Sequence, residues 1–172
     1  MTLASRKYKP PWYALSVPEH DIPAPNPPFR ASQDDFRWED TDVLPYKEDG
    51  TIFKSVTRQV LFHGIEYLPV ELRYFEVGTD GHSTLERHEH AHLVVINRGS
   101  GRVLVGDKIS EVKMNDVVHV PPMTWHQFRA TNNEPLGFLC VVAVERDRPQ
   151  RPDGDQVAEL SVNPEVREFI RV

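Results

Sequence analysis

From Glu86 to His92 every second residue is a potential metal ligand: Glu86, His88, His90 and His92, followed at once by the apolar run Leu93-Val94-Val95-Ile96. In an extended strand side chains alternate between faces, so these residues would share one side while Arg87, Glu89 and Ala91 take the other. A straight strand cannot bring that row onto one ion. At roughly 3.3 Å per residue Glu86 would lie about 20 Å from His92, whereas an imidazole nitrogen must come within about 2.1 Å of a bound cation. The chain is therefore expected to double back at Glu89-His90-Ala91, with Glu86 and His88 on one arm and His92 opening the next. His126, in Pro121-Pro122-Met123-Thr124-Trp125-His126, is a more distant ligand candidate.

Short strands are expected on both sides of this row. The stretches 56–62 and 72–77 carry strand-forming residues, the second with clean alternation, and 102–105 and 109–112 flank Gly106-Asp107, which suits a type II′ hairpin turn. Asn115-Asp116 marks another turn before 117–120, and 125–130 and 137–145 complete the series. About eight strands at close spacing, with no long helical pattern between them, predict an antiparallel sandwich or barrel. Residues 163–171 are expected to form a short C-terminal helix with Asn163 as N-cap, Pro164 at its first position and Glu165 in its first turn.

The first 50 residues are a different material, holding eight of the 15 prolines. Pro10-Pro11, Pro23-Ala24-Pro25 and Pro27-Pro28 forbid long helices and central strands alike. Tyr8, Trp12, Tyr13, Phe29, Phe36 and Trp38 are too many aromatics for a solvated linker, so this extended arm is expected to lie against the domain or a neighbouring subunit. The resulting division is an arm over 1–50, a β-barrel over 51–147, and a loop and short helix over 148–172.

Charge and composition exclude several functions. A net charge of −6 without a basic cluster argues against nucleic acid as a partner. No apolar run approaches the roughly 20 residues of a membrane helix, and no apolar core follows the N-terminal charges, so neither a membrane span nor a secretory signal is predicted and the expected location is cytoplasmic. The single Cys140 permits no internal disulfide and reads as a small buried core residue.

The spacing of Gly81, Glu86, His88, His92 and Gly99, followed by Asn115, Pro121, Met123 and His126, resembles the two short motifs of the cupins. The resemblance covers roughly residues 72–144. In that family the first motif runs glycine, two histidines, glutamate, glycine, and the second glycine, proline, glycine, histidine. Here Glu86 stands in the place of the first histidine and His92 in that of the glutamate, so three imidazoles and one carboxylate are kept but permuted. Asn115 and Met123 replace glycines, and Ala130 stands where asparagine is usual.

The resemblance implies an all-β fold, a cupin-type antiparallel β-barrel or jelly roll, holding one divalent transition metal (iron, manganese, nickel or copper, with zinc admissible) on Glu86, His88, His92 and His126. His90 is the alternative to Glu86 as ligand; an unbound Glu86 becomes a general base beside the ion or an acid paired with Arg73 or Arg102. His119 is expected outside the coordination sphere, and His20, His63 and His82 show no partner pattern. Tyr74, Phe128 and Phe138 are candidate walls of a substrate pocket, with plain core as their other reading. The activity implied is that of a metal-dependent oxygenase (dioxygenase) acting on a small organic substrate. The alternatives are a non-catalytic barrel that binds a small ligand or metal, and a metal-dependent isomerase or lyase. A homodimer is expected, because a partner commonly covers exposed edge strands.

Overall fold

A computed structural model describes residues 25–46 and 54–172 of the chain. The chain forms β1 (Ser32–Gln33), β2 (Arg37–Trp38), β3 (Leu44–Pro45), β4 (Lys54–Phe62), β5 (Val70–His82), β6 (His92–Arg98), β7 (Ser100–Val105), β8 (Lys108–Lys113), β9 (Val117–Val120), β10 (His126–Ala130) and β11 (Leu136–Ala143). Two helices follow, α1 (Gly154–Leu160) and α2 (Pro164–Phe169). Among the described residues no helix is long and apolar enough to cross a membrane.

The main sheet runs β8-β7-β10-β5-β11-β6-β9, with β4 added on β5 and β3 on β4. All of its pairings are antiparallel. β5 joins its halves, pairing with β11 from Val70 to Val77 and with β10 at His82. The sheet curls into a half-barrel of the expected jelly-roll kind.

Period-two alternation decides what lies inside. Phe75, Val77, Val94, Ile96, Val103, Phe128, Phe138 and Cys140 belong to one buried cluster on the concave face. Their neighbours Tyr74, Leu104 and Gln127 are equally buried, but on the other side. There, Leu104 packs with Leu85, Val166, Phe169 and Ile170, which docks α2 on the sheet. Burying Val166 and Phe169 is worth roughly 1.5–3 kcal/mol apiece, and a helix this short would not hold in isolation. Gln127 completes the dock, donating to the Ser83 and Arg171 carbonyls and accepting from the Arg171 amide.

The expected C-terminal helix is therefore one of two. α2 begins as expected, with the Asn163 side chain accepting from Glu165 N. α1 lies in the stretch after 147 that is expected to be loop. A reciprocal capping box starts it: Gln156 N donates to Asp153 Oδ1, and Asp153 N to Gln156 Oε1.

Phe36 and Trp38 of the arm lie on the convex face of the barrel. Phe36 stacks parallel to Tyr74 at 6.0 Å between centroids, and Trp38 tilts against the same ring at 5.0 Å. Gln59 Nε2 donates to the Phe36 carbonyl at 2.9 Å, which fixes the backbone of the β1–β2 hairpin. Phe29 is exposed, and Tyr8, Trp12 and Tyr13 lie outside the described residues.

Two turns for which the resembled motifs would call for glycine form here without it. Asn115 and Met123 both sit in the left-handed region, at φ 75° and 54°. Gly99 and Gly106 share that conformation at φ 63° and 68°, the first where the chain passes from β6 to β7 and the second in the tight β7–β8 hairpin turn.

Candidate metal centre

Three backbone devices bring the ligand row together. Glu86 and His126 exchange amide hydrogen bonds of 3.2 and 3.0 Å, which ties the segment after β5 to the start of β10. Arg87 and Gln150 exchange another pair of 3.0 and 2.8 Å. The chain then bends at Glu89-His90 and returns as β6 with His92 as its first residue, so the fold-back lies where the spacing requires it.

The result is a cluster of His88, His92 and His126, each offering a ligand atom within 4.8 Å of the others. His88 and His126 are 2% and 3% exposed, and His92 is half-buried. His88 Nδ1 lies 3.0 Å from the His90 carbonyl, and His126 Nδ1 3.0 Å from the Thr124 carbonyl. An N–H donated to each carbonyl fixes the tautomer and leaves Nε2 with its lone pair free. His92 Nδ1 sits 3.4 Å from Cys140 Sγ, while its Nε2 is buried with no hydrogen-bond partner.

An orphaned imidazole nitrogen in a dry site is costly unless something occupies its lone pair. Electrostatics favours the same state. Burial, and then the neighbouring His126, His88, His90 and Arg73, hold His92 far below the ordinary histidine range. Burial brings His126 down to about 4. Neutral imidazoles are the form that binds a divalent cation, so this donor set fits a metal on three protein nitrogens.

Glu86 is 6% exposed and lines the same small cavity as His92 and His126, about 40 Å³ in volume. Its carboxylate lies outside the three-imidazole cluster and accepts a 2.9 Å hydrogen bond from the Tyr46 hydroxyl. Burial, followed by the Glu86 charge, holds the Tyr46 phenol above its ordinary range, so it remains a donor. Of the acid's other expected partners, Arg102 pairs instead with Glu165 at 3.2 Å.

His90 is not in the cluster. Its ring stacks on His88 at 3.8 Å and 9°, and its Nδ1 lies 2.7 Å from Asp147 Oδ1. His119 is exposed on β9, His82 and His63 lie elsewhere, and His20 falls outside the described residues.

Phe128 and Phe138 line the cavity together with Phe75. Tyr74 does not. It is one residue from Phe75 on β5, so it points to the convex face, where it holds the arm and donates to Glu76 Oε2 at 2.9 Å. Cys140 is 1% exposed, as a core residue would be, yet it also lines the cavity. Burial raises its thiol to about 11, against the lowering effect of the neighbouring Arg73 charge.

Sequence reasoning missed two supports of the site. Tyr46 comes from the proline-rich arm, where no periodicity marks it. Asp147 follows the last strand, and one carboxylate takes the Glu89 amide at 2.9 Å, the His90 amide at 3.4 Å and the His90 ring. It thereby fixes the bend whose carbonyl orients His88. Asp147→Ala should weaken metal binding by about 10–100-fold, the usual cost of losing an outer-shell partner. Competition with a chromophoric chelator measures this, and unchanged affinity would mean that the bend holds without the carboxylate.

The Cupin domain family matches residues 73–142. Over 144 residues the chain is 53% identical to 1-methylthio-D-xylulose 5-phosphate methylsulfurylase of Rhodospirillum rubrum, covering 83% of this chain and 92% of that protein. Among solved structures, a cupin 2 conserved barrel domain protein from Rhodopseudomonas palustris is 50% identical with a TM-score of 0.80, covering 84% of this chain and 99% of the other. A cupin-2 domain protein from Rhodospirillum rubrum is 52% identical with a TM-score of 0.75, covering 83% and 96%.

Proposed function

The chain belongs to the Cupin domain family, and from that premise we propose that it is a metal-dependent enzyme moving a methylthio group from a sugar phosphate to sulfur. The observation that carries this reading is the place of Cys140. The chain's one thiol lines the metal cavity, 3.4 Å from Nδ1 of a ligand histidine. The relative's name supplies the substrate class, a methylthio ketose phosphate.

His88, His92 and His126 hold the ion, with Glu86 as its fourth ligand or as a base beside it. When bound, the ion supplies Lewis acidity that polarises the substrate's carbonyl and lowers the barrier to a negative charge on the adjacent carbon. Cys140 sulfur attacks the methylthio sulfur. The carbon–sulfur bond breaks, a sulfur–sulfur bond forms, and the electron pair left on carbon takes up a proton. Cys140 and the methylthio sulfur are oxidised to a mixed disulfide while the carbon is reduced to a methyl ketone, so electrons balance. An external thiol then displaces the methylthio group from Cys140 and regenerates it.

The chain's other residues prepare this step. His92 Nδ1 lies 3.4 Å from the Cys140 sulfur, and because burial raises the thiol to about 11 its proton has to leave as the sulfur attacks, with Glu86 in the same cavity to take it. Glu86, held on one side by the Tyr46 hydroxyl donor, is placed to hold or move the proton. Phe75, Phe128 and Phe138 exclude water from the carbanionic centre. A cavity of about 40 Å³ admits only the reacting end of a substrate, which leaves the phosphate outside it.

The test is an anaerobic incubation of metal-loaded protein with 1-methylthio-D-xylulose 5-phosphate and a small thiol. A deoxy sugar phosphate and a methyl disulfide are expected in equal amounts. Product formed only with consumption of dioxygen would return the oxygenase expected from the sequence. The homodimer is part of the same proposal, supported by exposed Leu93 and Val117 on the β6–β9 edge.

A further inference from the structure

Beside the metal cavity, at the start of β5, Arg73 and Arg146 share the Glu71 carboxylate and Arg58 lies on the same face of the sheet. Arg73 lies directly opposite Cys140 on the neighbouring strand, and Glu71 opposite Val142, so all of these face the concave side. Arg58 is paired across β4 and β5 with Phe75, a wall of the metal cavity, and therefore faces the same way. Arg146 reaches in from the end of β11, its guanidinium 2.9 Å from Glu71 Oε1.

Among the described residues Glu71 is the acid paired with this group. It also lies 3.4 Å from Arg73 Nε, without forming a hydrogen bond. Arg73 is 7% exposed, and both Arg73 Nε and Arg58 Nε are buried with no partner. Burial lowers Arg146 first, and the like charges of Arg73 and Arg58 lower it further against the pull of Glu71.

Three cations and one anion leave roughly two positive charges around the buried Arg73, with Arg58 half-buried and Arg146 at the exposed rim, an arrangement that is unfavourable until an anion fills it. Arginine forks bind tetrahedral oxyanions in bidentate fashion. A phosphate monoester carries about −1.5 to −2 charge at neutral pH and presents three acceptor oxygens. We propose that Arg58, Arg73 and Arg146 form a phosphate-monoester site that holds the charged end of the substrate, with its other end extending past Cys140 to the metal. The identity of the ligand as a sugar phosphate rests on the function proposed above; the dianion site itself rests on the arginines.

The test is calorimetric titration of metal-loaded protein with inorganic phosphate, D-xylulose 5-phosphate and unphosphorylated D-xylulose. Both phosphates should bind, and D-xylulose at least tenfold more weakly than its 5-phosphate. Arg58→Gln should weaken D-xylulose 5-phosphate by tenfold or more with metal content and thermal midpoint unchanged. Arg58→Lys, which keeps the charge but loses the fork, should weaken it by at least threefold and carries the test if the glutamine variant does not fold. Equal binding by the wild type and a folded variant overturns the site. Arginine-dependent phosphate binding without methylthio turnover would leave the site standing and remove the sulfur-transfer reading. Turnover with KM unchanged in the Arg58 variants would do the reverse.

Discussion

Replacing His92 by alanine is expected to yield a folded barrel that no longer retains a divalent ion. Outer-shell partners of a metal typically contribute 10–100-fold in affinity, so loss of one of three imidazoles should exceed that, on the order of a thousandfold. The effect on the metal-free protein should be small and of opposite sign to an ordinary core truncation. His92 Nε2 is a buried nitrogen without a partner, and its removal relieves a desolvation penalty of about 1–3 kcal/mol. Val94, two residues along the same strand face and fully buried, gives the contrast. Val94→Ala should destabilise the protein and leave the ligands in place. Urea titrations of both metal-free variants, set against chelator competition, separate the two roles. A His92→Ala protein that binds metal as before would remove the histidine from the coordination sphere.

Cys140→Ser should leave metal content intact and lower turnover of the methylthio substrate by at least about a thousandfold. A hydroxyl in the same place is a far weaker nucleophile toward sulfur, and a sulfur–oxygen bond cannot replace the mixed disulfide. The substitution is nearly isosteric, so the barrel should stay folded, and His92 keeps its Nδ1 partner in the serine hydroxyl. Mass spectrometry on wild-type protein treated with substrate but no external thiol should reveal a methylthio group on Cys140. A serine variant that retained more than a tenth of wild-type turnover would show that sulfur transfer bypasses this residue, with the thiol acceptor then attacking the substrate directly.

Much of the barrel and the metal cluster can be read from residue spacing, because both depend on period two. The apolar residues of β5, β6 and β11 alternate, and the same alternation sends His88 and His92 to one cluster once the chain turns at Glu89-His90. The short reach of a metal–nitrogen bond is enough by itself to require that turn. What spacing cannot give is which face of β5 is concave. Tyr74 and Phe75 are both aromatic and both buried, and only the arrival of Phe36 and Trp38 on one side assigns Tyr74 to the arm. Contacts across long sequence separations are equally hidden. Tyr46 reaches Glu86 across 40 positions and Asp147 reaches Glu89 across 58, and neither has a local pattern around it. α1 escapes a sequence reading because its capping box lies beside Pro152 and Gly154, residues that suit a turn.

The permuted ligands also have a physical reading. With His92 in the place of a glutamate, the cluster exchanges a charged oxygen donor for a neutral nitrogen, and Glu86 keeps a carboxylate at the edge of the same cavity. Nitrogen-rich sites favour later transition metals over magnesium or calcium. The Tyr46 hydroxyl donates to the Glu86 carboxylate and holds it there.

The central claim is that His88, His92 and His126 hold one divalent cation, and X-ray absorption spectroscopy on untagged protein tests it most directly. The account predicts one equivalent of a transition metal per chain, with a scattering pattern of three imidazoles that is lost in His92→Ala. Protein that carries no transition metal, takes none up on dialysis against manganese, iron, nickel, copper or zinc, and gives no imidazole scattering would contradict it.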